Sequence, residues 1–395
     1  MKKNKYFLTV RACGLSYLVQ GILNNFIPLL FLTFRRTYGL TLDRISFLIM
    51  VNFGVQMLVD YLSAKLVDIA GYRKSAVTGQ LLSALGLLGL AFLPVVMKNA
   101  YLGIIISVFV YAVGSGLIET VGSPIVQACP IEDKDAQMSM LHSHYCWGHV
   151  LVVLGSSIFF ALFGTDSWRF LSCIWSLFPI VVMFMFMKVP MRSLADDGEI
   201  ISGRKMSGMR TFWILIVLMF CSGAAEQCIS QWISTFAESG LGIEKTTGDL
   251  IGTCLFAVFM GSSRVLYGKF SRKINLARFM LFSGSLCAAL YVTAAVSPSA
   301  AISLAACVLC GTSVGIMWPG IYSISTEVIK GGGTGLFAYL ALAGDMGCAG
   351  GPAFLGFVSS AFNDNLRAGI FASAVFPILF VVMLAALKIN LLERK

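Results

Sequence analysis

Charge is what this chain lacks. Only 12% of its 395 residues are Asp, Glu, Lys or Arg, 57% are hydrophobic, and mean hydropathy is +0.84. A soluble domain carries about 25% charged residues, so a fold with a solvated exterior is excluded. Histidine is almost missing: His142, His144 and His149 are the only three. His142 and His149 stand one heptad apart, roughly 10 Å along a helix axis, too far for one metal ion, and the i, i+4 spacing of zinc enzymes does not occur. The eleven cysteines, Cys13, Cys146, Cys221 and Cys310 among them, are scattered without ligand spacing and read as small apolar packing residues. Neither a metal nor any other cofactor is expected. No Ser, Cys or His belongs to a nucleophile–base motif, and His144 and Cys146, two apart on a helix, point away from each other. An enzyme is not expected either.

What the chain has in place of charge is long apolar runs. They recur from end to end, each long enough to cross ~30 Å of hydrocarbon. They predict an all-α polytopic membrane protein with twelve transmembrane helices at 9–33, 44–67, 75–97, 101–127, 138–163, 168–188, 211–236, 248–270, 276–296, 300–326, 333–360 and 367–388. Met1–Tyr6 is basic, but the run behind it has the length of a full span and no small-residue cleavage site, so a cleaved signal is not expected. The net charge of +10 invites a nucleic-acid reading, which its distribution removes. Lys2, Lys3, Lys5, Arg73, Lys74, Arg204, Lys205, Arg210, Arg272 and Lys273 gather on one side of the membrane when both termini are cytoplasmic. The expectation is a monomer in the bacterial inner membrane, with lipid around it and no nucleic-acid partner.

The break in the pattern is polar. Arg192, Asp196, Asp197, Glu199, Arg204 and Lys205 mark a cytoplasmic linker at 189–210 between a six-helix bundle at 1–188 and a second at 211–395. The turn after span two, Ala64-Lys65-Leu66-Val67-Asp68-Ile69-Ala70-Gly71-Tyr72-Arg73-Lys74, resembles the Gly-x-x-x-Asp-x-x-Gly-x-Arg-Lys loop of the major facilitator superfamily, with Ala64 in place of the first Gly. Its chemistry suits a gate: Asp68 caps or pairs, Gly71 permits the turn, Arg73 and Lys74 anchor at headgroups. Gly261-Ser262-Ser263-Arg264, followed by Gly268-Lys269 and Arg272-Lys273, echoes it after span eight, as an internal repeat requires. The resemblance implies two six-helix halves with a solute site near the midplane.

Polar residues inside the spans locate the chemistry. Glu119 lies within Gly114–Pro130, where a charge costs ~2.5–3.5 kcal/mol at a helix centre. It therefore faces a partner or a water-filled cavity, or is held as the neutral acid. A structural Glu bonded to a neighbouring helix is one reading; a proton or substrate site is the other and is the expectation taken. Glu226 and Asp345 are further intramembrane acids that can supplement proton coupling. Tyr17, Gln20 and Asn24 share a face of span one at i, i+3, i+7, with Asn25 beside them. His142, Tyr145 and His149 share a face of span five, and Trp147 points elsewhere, towards span four or eight. Gln227 and Gln231 form an i, i+4 pair in span seven next to Trp232, and Pro319 predicts a kink in span ten with Trp318 and Tyr322 on one face. Asp60 reads as a gate or packing charge, and Glu327, at the end of span ten, as the partner of a gate Arg.

Gly-Leu-Ile-Glu-Thr-Val-Gly-Ser-Pro, ending in Pro124, resembles the Leu-Glu-Thr-Ala-Ala-Asn-Pro motif of the fucose:proton symporter family. Leu23-Asn24-Asn25-Phe26-Ile27-Pro28 resembles that family's Leu-Asn-Asp-x-x-x-Pro, and Trp318-Pro319-Gly320-Ile321-Tyr322-Ser323 its Tyr-Pro-Thr-Ile-Phe-Ser. The resemblance implies that Glu119 takes the protonatable role, while the first-span Asp of the family is replaced by Asn24 or Asn25, amides that cannot titrate. The function implied is proton-coupled symport of a monosaccharide or polyol by alternating access. Gln20, Asn24, Asn25, His142, Tyr145, His149, Gln227, Gln231, Trp232, Trp318 and Tyr322 would bind solute, and Asp60, Asp68, Gly71, Arg73, Lys74, Arg264 and Glu327 would gate. A proton-driven organic-cation exporter, an uncoupled facilitator and a non-transporting sensor are the alternatives.

Overall fold

In hydrocarbon a backbone N–H or C=O without a partner costs several kcal/mol, so a spanning segment must be a helix or a strand of a closed barrel, and a run of about 20 apolar residues suits the helix. The long apolar runs of this chain are helices. The computed structural model describes residues 5–40, 42–192, 194, 201–237, 241–243, 248–363 and 365–392, with no strand among them. The helices are α1 (Phe7–Leu29), α2 (Phe31–Tyr38), α3 (Leu42–Ala70), α4 (Tyr72–Val96), α5 (Ala100–Ala128), α6 (Lys134–Phe163), α7 (Trp168–Lys188), α8 (Gly203–Ser207) and α9 (Arg210–Thr235). They continue as α10 (Leu255–Phe270), α11 (Leu276–Val296), α12 (Ala300–Val314), α13 (Met317–Val328), α14 (Gly333–Ala361), α15 (Leu366–Ser373) and α16 (Val375–Leu392). Setting aside short α2 and α8, and taking α12 with α13 and α15 with α16 as single interrupted spans, the twelve expected spans are present. Ten segments among the described residues are, by length and composition, able to cross a membrane.

Contacts divide the chain into two units, Met1–Glu132 with His144–Gly198, and Asp133–Ser143 with Glu199–Lys395. The first turns of α6 thus belong to the second unit, whereas the sequence reading keeps all of 1–188 together. Short polar contacts tie this segment to the second unit. The Asp133 carboxylate accepts from Ser271 Oγ at 2.7 Å and meets Arg272 Nε at 3.4 Å, and Ser139 Oγ donates to the Arg264 carbonyl at 2.8 Å.

In the first unit, glycine lets α1 and α6 touch backbone to backbone. A Cβ on Gly148 would lie 2.2 Å from the Leu18 carbonyl oxygen, and one on Gly21 would lie 2.3 Å from that of Tyr145. The second unit repeats the device between α9 and α14, where a Cβ on Gly223 would lie 2.3 Å from the Gly344 carbonyl oxygen. Close approach of this kind substitutes packing for the hydrophobic effect, which hydrocarbon cannot supply. Gly148→Leu is therefore expected to cost at least the ~1–3 kcal/mol of overpacking and to lower the melting midpoint in detergent. Gly54→Ala, with nothing within 4 Å of the new methyl, serves as the neutral control.

Helix ends show the same repetition. The last carbonyls of a helix lack intrahelical donors, and each unit satisfies one such end with an arginine from the start of its last span. Arg169 Nε donates to the Ala91 carbonyl near the end of α4 at 2.7 Å. Arg367 Nη1 donates to the Ala295 and Ser297 carbonyls at the end of α11, at 3.0 and 2.6 Å. Gly71 makes the turn between α3 and α4 with φ +85°, a left-handed conformation that favours glycine. Arg73, two residues on, corrects the expectation of a headgroup anchor: its guanidinium donates to the Phe186, Met187 and Val189 carbonyls at 2.7 Å each, capping α7.

Candidate functional site

Within the first unit, α1, α3 and α5 bring their polar residues together in a ladder. Gln20 Nε2 of α1 donates to Glu119 Oε2 of α5 at 2.5 Å, and both side chains are buried. Tyr17, three residues before Gln20, reaches the Glu119 carbonyl at 3.3 Å and shares a hydrogen bond with Ser123 Oγ at 2.9 Å. Gly122 makes room for that ring, because a Cβ there would lie 2.3 Å from Tyr17 Cε2. One turn further along α1, Asn24 Oδ1 accepts from Asn52 Nδ2 at 3.4 Å and Gln56 Nε2 at 3.3 Å, and lies 3.5 Å from Ser115 Oγ. The one hydroxyl proton of Ser115 goes to the nearer acceptor, Gln56 Oε1, at 3.0 Å. Asp60, fully buried, accepts from Thr120 Oγ1 at 3.0 Å.

The other residues singled out in this unit are placed as follows. Of the two adjacent amides, Asn24 joins the ladder, while Asn25 Nδ2 donates back to the Gly21 carbonyl of its own helix at 2.8 Å. His149 is buried and Tyr145 half-buried where α6 crosses α1. Trp147 is exposed on the side of α6 and does not pack into the interior. Lys74 is exposed, and the Asp68 side chain lies outside the described residues.

In the second unit the organising group is Arg264. The sequence echo suggests a gate turn, but Arg264 lies inside α10 and is only 3% exposed. Its Nη2 pairs with Glu226 Oε2 of α9 at 3.2 Å, and its Nη1 donates to the His142 carbonyl at 2.9 Å. Its Nε donates to the Gly315 carbonyl at 2.7 Å. That last bond has a local cause. Pro319, four residues after Gly315, has no N–H to give the Gly315 carbonyl, and the span breaks there into α12 and α13. Arg264 supplies the missing donor.

Around this arginine the aromatic residues stack. The His142 ring lies on Tyr322 at 5.5 Å, Tyr322 on Phe337 at 5.1 Å, and Trp318 meets Tyr322 at 6.5 Å in an edge arrangement. Trp318 rests on Gly344, where a Cβ would lie 2.1 Å from the indole. Gln231 Nε2 donates to Gln227 Oε1 at 3.1 Å, and Trp232 Nε1 to the Pro352 carbonyl at 3.1 Å. Asp345 is buried on α14. Glu327 is exposed near the end of α13 and pairs with no arginine among the described residues, which corrects its expected role.

Of the three residues on one face of α6, His142 falls in the second unit with Arg264, and Tyr145 and His149 in the first. Asn52, Gln56 and Ser115 were not singled out, although the i, i+4, i+8 run of Asn52, Gln56 and Asp60 in an apolar span carries the signal.

The two units hold their carboxylates differently. Glu226 faces a guanidinium, that of Arg264. Glu119 is held by an amide that suits either protonation state, since Gln20 Nε2 can donate to an oxygen of the carboxylate or to the carbonyl oxygen of the acid.

A family model described as Major Facilitator Superfamily matches residues 12–352. Among solved structures, the E. coli fucose:proton symporter FucP superposes with a TM-score of 0.81 at 15% identity, over 97% of this chain and 99% of that one. The proton:xylose symporter XylE, bound to 6-bromo-6-deoxy-D-glucose, does so with 0.84 at 12% identity, over 97% and 95%. A bacterial homologue of the iron transporter ferroportin gives 0.72 at 13% identity, over 95% and 98%. At such identities the likeness speaks for fold alone. No curated protein sequence matches the chain.

Proposed function

The chain belongs to the Major Facilitator Superfamily, and we propose that it is a secondary transporter moving a monosaccharide or polyol together with protons by alternating access. The proposal includes residence in a bacterial inner membrane with both termini cytoplasmic. The observation that carries it is the buried contact of Gln20 with Glu119, 2.5 Å long, on a ladder of amides and hydroxyls. A carboxylate in that position binds a proton without rearranging its partner. Neutralised, it lets the loaded carrier change state without a bare charge in the apolar span. Amides offer donors and acceptors together, the complement of a hydroxyl-rich solute.

One observation favours a second reading, uncoupled facilitation: Asn24, an amide that cannot titrate, holds a ladder position where the symporter family has a titratable residue. The test is a reconstituted panel of hexoses, pentoses, deoxysugars and polyols, with one lipophilic cation, followed by radiolabel uptake and an external pH dye. External alkalinisation on adding a sugar is the expected result. Sugar uptake without a pH change would make the protein a facilitator. Movement of the lipophilic cation alone would overturn the sugar reading and leave an exporter.

A further inference from the structure

Asn24 and Asn52 stand next to each other with their hydrogen bonding incomplete in opposite senses. Asn52 is only 6% exposed, and its Oδ1 is buried with no hydrogen-bond partner among the described residues. The single bond its amide group makes to a side chain runs from Nδ2 to Asn24 Oδ1. Asn24 is half-buried; its Oδ1 accepts from two amides and lies near the Ser115 hydroxyl, and its Nδ2 makes no hydrogen bond to any described residue. The pair therefore holds one unpartnered acceptor, which is buried, and one unpartnered donor. Its three contacts, at 3.3–3.5 Å, are all longer than the usual 2.9–3.0 Å for N–H···O. An unsatisfied buried carbonyl costs ~1–3 kcal/mol, and nothing in the packing of α1, α3 and α5 answers it.

The geometry points to a hydroxyl-binding subsite in the first unit, formed by Asn24 and Asn52 and braced by Gln56 and Ser115, that takes one alcohol group of a neutral polyol. An alcohol accepts from Asn24 Nδ2 and donates to Asn52 Oδ1 at once. A cation finds no use for the Nδ2 donor, and an anion is repelled by the Oδ1 acceptor. The brace is built to hold the amides in place. Gln56 Nε2 donates to the Asn52 carbonyl at 3.3 Å, Gln56 Oε1 accepts from Ser115, and a Cβ on Gly116 would meet Val59 at 2.9 Å, so α3 and α5 are pressed together there. A site built to bond a hydroxyl rejects the analogue lacking it far more strongly than a hydrophobic pocket rejects a missing methylene. Asn52 is thus a specificity-determining residue, and this inference rests on the polyol reading above.

The test uses full-length protein in proteoliposomes, with competition of labelled uptake by D-glucose, D-xylose, L-fucose and mannitol, and by the monodeoxy analogues of whichever of these is carried. Wild type is expected to discriminate by tenfold or more against the deoxy analogue lacking one particular hydroxyl. Asn52→Leu is expected to lose that discrimination while leaving discrimination at the other hydroxyls unchanged. Asn52→Ser, which keeps an acceptor, is expected to restore part of it. Should Asn52→Leu fail to assemble, the Asn52→Ser profile decides alone, since a partial loss confined to one hydroxyl is required of it. Weakened uptake of every analogue in proportion, or an unchanged profile in both variants, overturns the subsite and leaves the transporter reading standing. Absence of any polyol uptake by wild type overturns both.

Discussion

Replacement of Glu119 by glutamine is expected to reduce solute-driven proton movement to the level of protein-free vesicles while exchange of the same solute across the membrane survives within a few fold. Glutamine has the shape of the neutral acid and keeps a group for Gln20 to bond, at a contact now 2.5 Å long. The variant mimics a carrier that is permanently loaded with its proton. Exchange needs only the loaded states, whereas net uphill movement needs the proton to leave. Gln20→Leu separates structure from coupling. It removes a hydrogen bond to a group able to carry charge, worth ~1.5–3 kcal/mol, so it should lower the melting midpoint but leave a proton signal. If Glu119→Gln keeps full proton movement, the coupling site lies elsewhere, and Glu226 and Asp345 become the acids to test. If it abolishes exchange along with proton movement, Glu119 is a structural or solute-holding group.

The fold could be read from the sequence because its determinants are local. Apolar run length decides what can cross a bilayer, and the polar stretch around Arg192–Lys205 decides where the pattern breaks. The helical periodicity of Tyr17, Gln20 and Asn24 likewise predicts one polar face on span one, and these three side chains do engage α3 and α5. What could not be read was which partner each side chain meets, because that depends on helix rotation and crossing. The sequence cannot place Asn52 against Asn24, nor choose Asn24 over its neighbour Asn25, whose amide is spent on its own backbone. Arg73 misled for a related reason. A basic residue after a turn is ordinarily a headgroup anchor, and only the packing of α7 beside it reveals three carbonyls waiting for a donor. Arg264 is the larger case. Its motif spacing suggests a turn, yet its burial, its partner Glu226 and the break at Gly315 all arise from contacts with other helices.

Those contacts make Arg264 the residue whose loss should do most damage to the second unit. Arg264→Ala strands Glu226, which is 7% exposed, and removes the donor to the Gly315 carbonyl. Breaking a buried ion pair from one side costs ~3–5 kcal/mol, and a large drop in melting midpoint and in assembled protein is expected. Arg264→Lys should recover little, because one ammonium nitrogen cannot occupy the three positions from which Nε, Nη1 and Nη2 reach their separate acceptors. The role assigned to Pro319 can be isolated by a double-mutant cycle. In the wild-type background Pro319→Ala gives the Gly315 carbonyl a second, redundant donor and straightens a helix that is broken at Gly315–Ile316, so it should be neutral or harmful. In the Arg264→Ala background the same substitution supplies the only donor and should recover ~0.5–1.5 kcal/mol, the net worth of one hydrogen bond. Equal effects of Pro319→Ala in the two backgrounds would show that the arginine and the proline are not coupled. A positive coupling would mean that the break in this span and the buried charge were fitted to each other: proline leaves a carbonyl without a donor, and arginine, held in place by Glu226, fills it.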